Sequence, residues 1–158
     1  MAADRRSDRA LIRPVTAEDV RPIRHRVLRP EQPFESTVYP GDNLPGTVHL
    51  GAFDGDALVG IASLYREPRG GATDGWRLRG MATVPAVRGR GIGAALLDAC
   101  MEHAATSDGG EVWCNARVVA IGFYLRAGFE VVSEEFEVSG IGPHVVMTRP
   151  GSVHGGAG

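Results

Sequence analysis

Lysine is absent from this chain of 158 residues, and all 17 of its basic positions are arginine. No step of its chemistry can therefore run through a lysine amine. Cysteine is nearly absent, with only Cys100 and Cys114. Two cysteines make no disulfide framework, and buried free thiols are the simplest reading, one in a predicted helix and one in a predicted strand. There is no C-x-x-C and no His/Cys cluster, so no metal is expected. No stretch approaches the roughly 20 apolar residues of a membrane span. The opening MAADRRSDRA is polar and arginine-rich with no apolar core, which does not read as a secretory signal. A soluble, cytoplasmic protein is expected, without a membrane partner. The net charge of -2 gives no general drive toward nucleic acid, which is not expected as a partner either.

What is present fits one globular domain. A chain of this size hides roughly two-thirds of its unfolded surface on folding, so a core is possible without staples. ALIRPV, 10–15, reads as a short strand, and Thr16-x-x-Asp19 as a helix start. That helix should run to about Leu28 and stop before Pro30, with Val20, Ile23, Val27 and Leu28 on one face. Arg21, Arg24 and Arg26 then read as a solvated face. Residues 30–46 carry four prolines and no periodicity, and a loop of that length in a compact domain is often functional. TVHLGAF and ALVGIASLY flank Asp54-Gly55-Asp56, a hairpin signal. WRLRGMATV is another strand, and a helix follows from about Gly91 to Thr106. EVWCNA is a strand, RVVAIGFYLRAG a helix ended by Gly128, and FEVVSEEFEVS and GPHVVMTR are two last strands. The order predicts an α/β domain over 10–149 with one mixed sheet, and disordered tails at 1–9 and 150–158.

Between the fourth predicted strand and its helix lies VRGRGIGAALL, 87–97. Three glycines, Gly89, Gly91 and Gly93, crowd the start of a helix they weaken. The first N–H groups of a helix lack internal partners and the helix dipole adds positive character, so this is an anion site. Glycines let a phosphate reach bare backbone, and Arg88 and Arg90 add charge. A glycine-rich connection with two solvated arginines is the plainer alternative. A P-loop is excluded by the missing lysine. A Rossmann loop does not fit, because the spacing is G-x-G-x-G and an antiparallel hairpin precedes it.

Arg88-Gly89-Arg90-Gly91-Ile92-Gly93 resembles the R/Q-x-x-G-x-G/A signature of the GCN5-related N-acetyltransferases (GNAT). NARVVAIGFYLRAGF, 115–129, resembles the N-x-x-A…F-Y-x-x-x-G-F segment of the same family. RHRVLRPEQP, LRGMATV, WCNAR and GPHVVM are most similar to its ElaA-like branch. The resemblance implies a mixed, mostly antiparallel twisted sheet flanked by helices, splayed beside strand four, with acetyl-CoA as donor. The pyrophosphate would rest on the amides of Arg88, Gly89, Arg90, Gly91, Ile92 and Gly93. The pantetheine arm would run along Met81, Ala82 and Thr83, with Asn115 and Tyr124 flanking the arm and thioester. The N–H of Met81 would polarise the thioester carbonyl. The acceptor would be a small-molecule amine or a protein amine, and the family allows a homodimer.

Acetyl transfer needs a neutral amine, a stabilised oxyanion and a proton for the leaving thiolate. The resemblance implies Tyr124 as that acid; a packing role beside Phe123 and Leu125 is the alternative. A thiol has a pKa of about 8.5 and a phenol of about 10, so the phenol can supply the proton. The family's glutamate base on strand four is missing, because WRLRGMATV carries Arg77 and Arg79 and no carboxylate. His144 ranks first among the substitutes; Glu134, Glu137, His49, Asp42 and a chain of waters are the others. Arg79 facing the acceptor would favour a substrate with a carboxylate or phosphate as well as an amine, while a cross-strand ion pair is its structural alternative. Cys114 as an acyl carrier has no evident histidine base. The competing functions are a non-catalytic acyl-CoA-binding module and a nucleotide-linked oxidoreductase.

Overall fold

The structure is a computed structural model and describes residues 10–107 and 109–150. The expected tails lie outside the described residues, apart from Pro150. The fold is α/β. Eight strands, β1 (Leu11–Val15), β2 (Val48–Asp54), β3 (Ala57–Tyr65), β4 (Trp76–Thr83), β5 (Val112–Arg117), β6 (Glu130–Val131), β7 (Phe136–Val138) and β8 (Gly142–Arg149), form a mixed, mostly antiparallel sheet. Their order is β1-β2-β3-β4-β5-β8-β6, with β7 also on β8. The α-helices are α1 (Ala17–Ile23), α2 (Ile92–Ser107) and α3 (Ile121–Arg126). The described residues divide into two compact units, 10–64 with 80–100, and 65–79 with 101–107 and 109–150.

In the first unit β1, β2 and β3 pair antiparallel, and Gly55 makes the β2–β3 turn with φ +64°. Thr16 caps α1: its hydroxyl accepts from the Asp19 N–H, and the Asp19 carboxylate accepts from the Thr16 N–H. After Pro22 the helix widens into a π turn, Arg24–Leu28. Pro22 has no N–H to give the helix. The expectation of a solvated arginine face is corrected at Arg24. Arg24, four residues after Val20 and next to Ile23, lies on the same side of the helix and is buried with none of its surface exposed, its charge met by Asp42. Gly60 on β3 explains how α2 is seated. A Cβ there would lie 2.9 Å from Leu96 Cδ1 and 3.3 Å from Ile92 Cγ2, so the first turns of α2 rest directly on strand backbone.

In the second unit β5 and β8 pair antiparallel from Val112↔Arg149 to Arg117↔His144. Residues 129–139 do not form one strand as expected; they break into β6 and β7, both on β8. Ser133 is the reason. Its hydroxyl oxygen accepts the N–H of Val146 at 2.8 Å, so a side chain stands in for a backbone rung. Gly128 stops α3 with φ +94°, as its position predicts. On β5, Val112, Cys114 and Ala116 are buried while Trp113, Asn115 and Arg117 face the other way. The start of β4 pairs parallel with β5 only at Trp76↔Val112 and Arg77↔Trp113, and β5 then runs on to Arg117. Trp76 is buried and donates its indole N–H to the Gly109 carbonyl.

Candidate active site

The glycine loop belongs to the first unit. Pro85–Val87 form a 3-10 turn after β4, and buried Val87 and Ile92 anchor the two ends of the stretch. Between them Arg88, Gly89, Arg90 and Gly91 are exposed. Gly89 has φ +86° and Gly91 φ +79°, and a Cβ on either would meet nothing within 4 Å. These glycines are therefore required by backbone conformation, with open space beside them; an L side chain in that conformation costs about 1–2 kcal/mol. The first helical bond of α2 runs from Ala95 N–H to the Gly91 carbonyl. The amides of Ile92, Gly93 and Ala94 precede it and stand at the positive end of the helix. Neither arginine of the loop is simply solvated. Arg88 donates to the Thr83 carbonyl at 3.3 Å, and Arg90 pairs with Asp54 of the hairpin at 3.1 Å.

Met81, Ala82 and Thr83 are the end of β4 in the same unit, with Ala82 buried and its two neighbours half-buried. Gly80 before them has φ +67°, an irregularity inside a strand. The Arg24 guanidinium fills the space beside it: a Cβ on Gly80 would sit 3.3 Å from Arg24 Nε and 3.5 Å from Tyr39 Cε2. Arg24 donates to both carboxylate oxygens of Asp42 at 2.7 and 3.1 Å, to Ser63 Oγ at 2.9 Å and to the Thr37 carbonyl at 2.8 Å. Asp42 also accepts the Tyr39 N–H. His49 donates through Nε2 to the Asp42 carbonyl, and its Nδ1 meets the Ser63 hydroxyl at 2.6 Å. Asp42 and His49, both candidate bases by sequence, are thus committed to a buried network that ties the proline-rich loop to α1 and β3. The sequence gives no sign that Arg24 and Asp42 pair. The one local signal is Gly80, a glycine inside a strand pattern.

The remaining candidates belong to the second unit. Asn115 is exposed on β5. Tyr124 is buried on α3, edge-on to Phe123 and to Phe129 at 5.1 and 5.4 Å between ring centroids. His144 is buried on β8 with its ring stacked on Phe136. Its Nδ1 lies 2.8 Å from the Gly142 carbonyl, which can only accept, so Nδ1 carries a hydrogen and Nε2 is the basic position. Arg77, one of the two arginines standing where a glutamate was sought, pairs with Glu67 at 3.1 Å and lies over the Trp113 ring. Burial pushes the Cys114 and Cys100 thiols up to about 12. The structure thus groups Met81, Ala82, Thr83 and residues 88–93 in one unit, and Asn115, Tyr124 and His144 in the other. Among the described residues no cluster of three or more His, Cys, Asp or Glu could hold a metal, and no helix is long and apolar enough to cross a membrane.

Residues 17–149 match the family model of the acetyltransferase (GNAT) domain. The uncharacterized N-acetyltransferase YitI of Bacillus subtilis is 38% identical over 140 residues, which span 87% of this chain and 94% of YitI. In fold the chain is similar to Escherichia coli ElaA, with a TM-score of 0.74 at 20% identity, covering 89% of this chain and 99% of ElaA. It is similar as well to an aminoglycoside 6'-N-acetyltransferase solved with coenzyme A, with a TM-score of 0.71 at 17% identity, covering 89% and 96%. With the family model spanning most of its length, the chain belongs to the GNAT family of acetyl-CoA-dependent N-acetyltransferases.

Proposed function

We propose that the chain moves an acetyl group from acetyl-CoA to a primary amine by direct attack in a ternary complex. The amides at 88–93 bind the pyrophosphate, and Arg88 and Arg90 add charge. Met81, Ala82 and Thr83 take the pantetheine arm, and the Met81 N–H polarises the thioester carbonyl. Asn115 and Tyr124 serve the arm and thioester. His144 Nε2 accepts a proton from the amine, whose nitrogen attacks the carbonyl carbon. The C–S bond then breaks, and the Tyr124 phenol supplies the proton the thiolate takes. The compartment proposed is the cytoplasm.

The observation that carries this reading is the loop. Two glycines hold positive φ with open space beside them, where a side chain would occupy the room a phosphate needs. Direct attack is supported by the cysteines. A buried thiol pushed up to about 12 stays protonated at neutral pH, so neither Cys100 nor Cys114 suits an acyl-enzyme step. Calorimetric titration with acetyl-CoA tests the donor site. Binding in the micromolar range that Gly91→Asp abolishes supports it; absence of binding by the folded native protein removes it. Tyr124→Phe then separates an enzyme from a module that only binds acyl-CoA. An enzyme keeps its donor affinity and loses turnover, whereas a module has no turnover to lose.

A further inference from the structure

The second unit carries information about the acceptor. Residues paired directly across an antiparallel ladder share a face of the sheet, with Cβ atoms about 4.5–5.5 Å apart. Arg117 pairs with His144, and His144 with Phe136, so a guanidinium, an imidazole and a phenyl ring lie side by side across three strands. The stacking of His144 on Phe136, with centroids 6.1 Å apart and planes at 29°, agrees with that register. Arg77 belongs to the same face, because its guanidinium lies 4.9 Å over the ring of its partner Trp113. The two-residue period of the strand puts Arg79 there as well, past the last β4–β5 pair. Asn115 and Val146, paired with each other, complete this end of the face.

These positions hold three guanidinium groups and no carboxylate of their own; Arg77 is paired with the Glu67 carboxylate at 3.1 Å, which leaves Arg79 and Arg117 for an acceptor. Glu137 pairs with Pro143 and so points to the opposite face. Glu130 shares the face but pairs with Thr148, about 13 Å along β8 from His144. A polycationic acceptor finds only the Glu67 carboxylate, already paired with Arg77, to balance its extra charges. An acceptor with a carboxylate beside its amine finds charge-assisted donors next to the basic Nε2 of His144. Arg79 and Arg117 have other interactions, but each guanidinium has five N–H donors and can serve more than one acceptor. Resting on the acetyltransferase reading with His144 as base, we infer that the acceptor is an α-amino acid with an apolar or aromatic side chain. Its carboxylate meets Arg117 and Arg79, its amine faces His144 Nε2, and its side chain lies toward Phe136 and Val146.

The test measures release of CoA from acetyl-CoA with three sets of amines: the twenty amino acids, the amines that lack their carboxylate (phenethylamine for phenylalanine), and the non-carboxylates spermidine and phosphoethanolamine. We expect kcat/KM for an apolar or aromatic amino acid to exceed that of its decarboxylated partner by about tenfold or more, the loss that goes with one charged hydrogen bond. Arg117→Gln should collapse that ratio mainly through KM, and Arg117→Lys should restore part of it. Acetyl-CoA binding reports whether each variant is folded. Preference for spermidine, phosphoethanolamine or the decarboxylated amines overturns the inference. So does an Arg117→Gln effect equal on all amines, or acetyl-CoA binding with no amino acid turned over. Failure of the native protein to bind acetyl-CoA strikes the acetyltransferase reading instead.

Discussion

Replacing Asp42 by alanine tests the energetics of the first unit directly. Arg24 has no exposed surface and Asp42 is 6% exposed, and the two meet through both carboxylate oxygens at 2.7 and 3.1 Å. Deleting the carboxylate leaves a guanidinium buried without its counter-charge, which costs about 3–5 kcal/mol. The Tyr39 N–H loses its acceptor in the same step, and that loss overlaps the first. Against a total stability of about 5–15 kcal/mol, this is a large fraction. Unfolding entropies of about 2.1 cal/mol/K per residue make it a fall in Tm of roughly 10–15 °C for a chain of this length. Urea unfolding should show the midpoint drop with the slope unchanged. Arg24→Met/Asp42→Asn removes both charges and keeps an oxygen for Tyr39, so the double variant should be more stable than Asp42→Ala. A cost below about 1 kcal/mol for Asp42→Ala is the range of exposed pairs and would refute the argument.

Other positions make separate predictions. Gly80→Ala combines φ +67° with a 3.3 Å approach to Arg24 Nε, and should cost about 1–3 kcal/mol in denaturant unfolding. Cys100 and Cys114 should not react with an aromatic disulfide reagent in the native protein, and both should react once it is unfolded; fast reaction in the native state would contradict their burial. The Glu111 carboxyl is held below its ordinary value of 4.5, first by the Arg69 hydrogen bond at 2.8 Å and further by Thr148. A depressed folded value means stability present above about 4.5 and lost as pH falls through the lower folded value. Glu111→Gln should therefore flatten the acid limb of the stability profile. The pair is partly exposed, so the effect at neutral pH should stay within about 0.5 kcal/mol.

Features set by neighbours along the chain are legible in the sequence itself. Thr16 and Asp19 mark the start of α1, the Asp54–Asp56 hairpin falls where its turn residues put it, and Gly128 ends α3. The glycine loop is legible for the same reason, since a strand, a turn and a helix start occupy one short stretch. Helical spacing itself puts Arg24 beside Val20 and Ile23, and only its charge argues for the solvated face. Its partner lies 18 residues away in a stretch without periodicity, where pattern gives no pairing. The break of 129–139 escapes a strand pattern because Ser133 acts through a hydroxyl that no such pattern encodes. The row of Arg117, His144 and Phe136 depends on register between strands that no local pattern along one chain can fix.

The bare backbone of Gly60 under α2 bears on what ligand binding costs. A helix resting on long side chains can rock as their rotamers change. One resting on a strand's own main chain has no such cushion, so the amides of Ile92, Gly93 and Ala94 inherit the stiffness of the sheet. If these amides take the pyrophosphate as proposed, their ordering entropy is spent during folding, and association has that much less freedom to remove. Enlarging Gly60 to valine would lift the helix and loosen this seat, so a site that shares no atom with the ligand would show up as weaker binding of the phosphates.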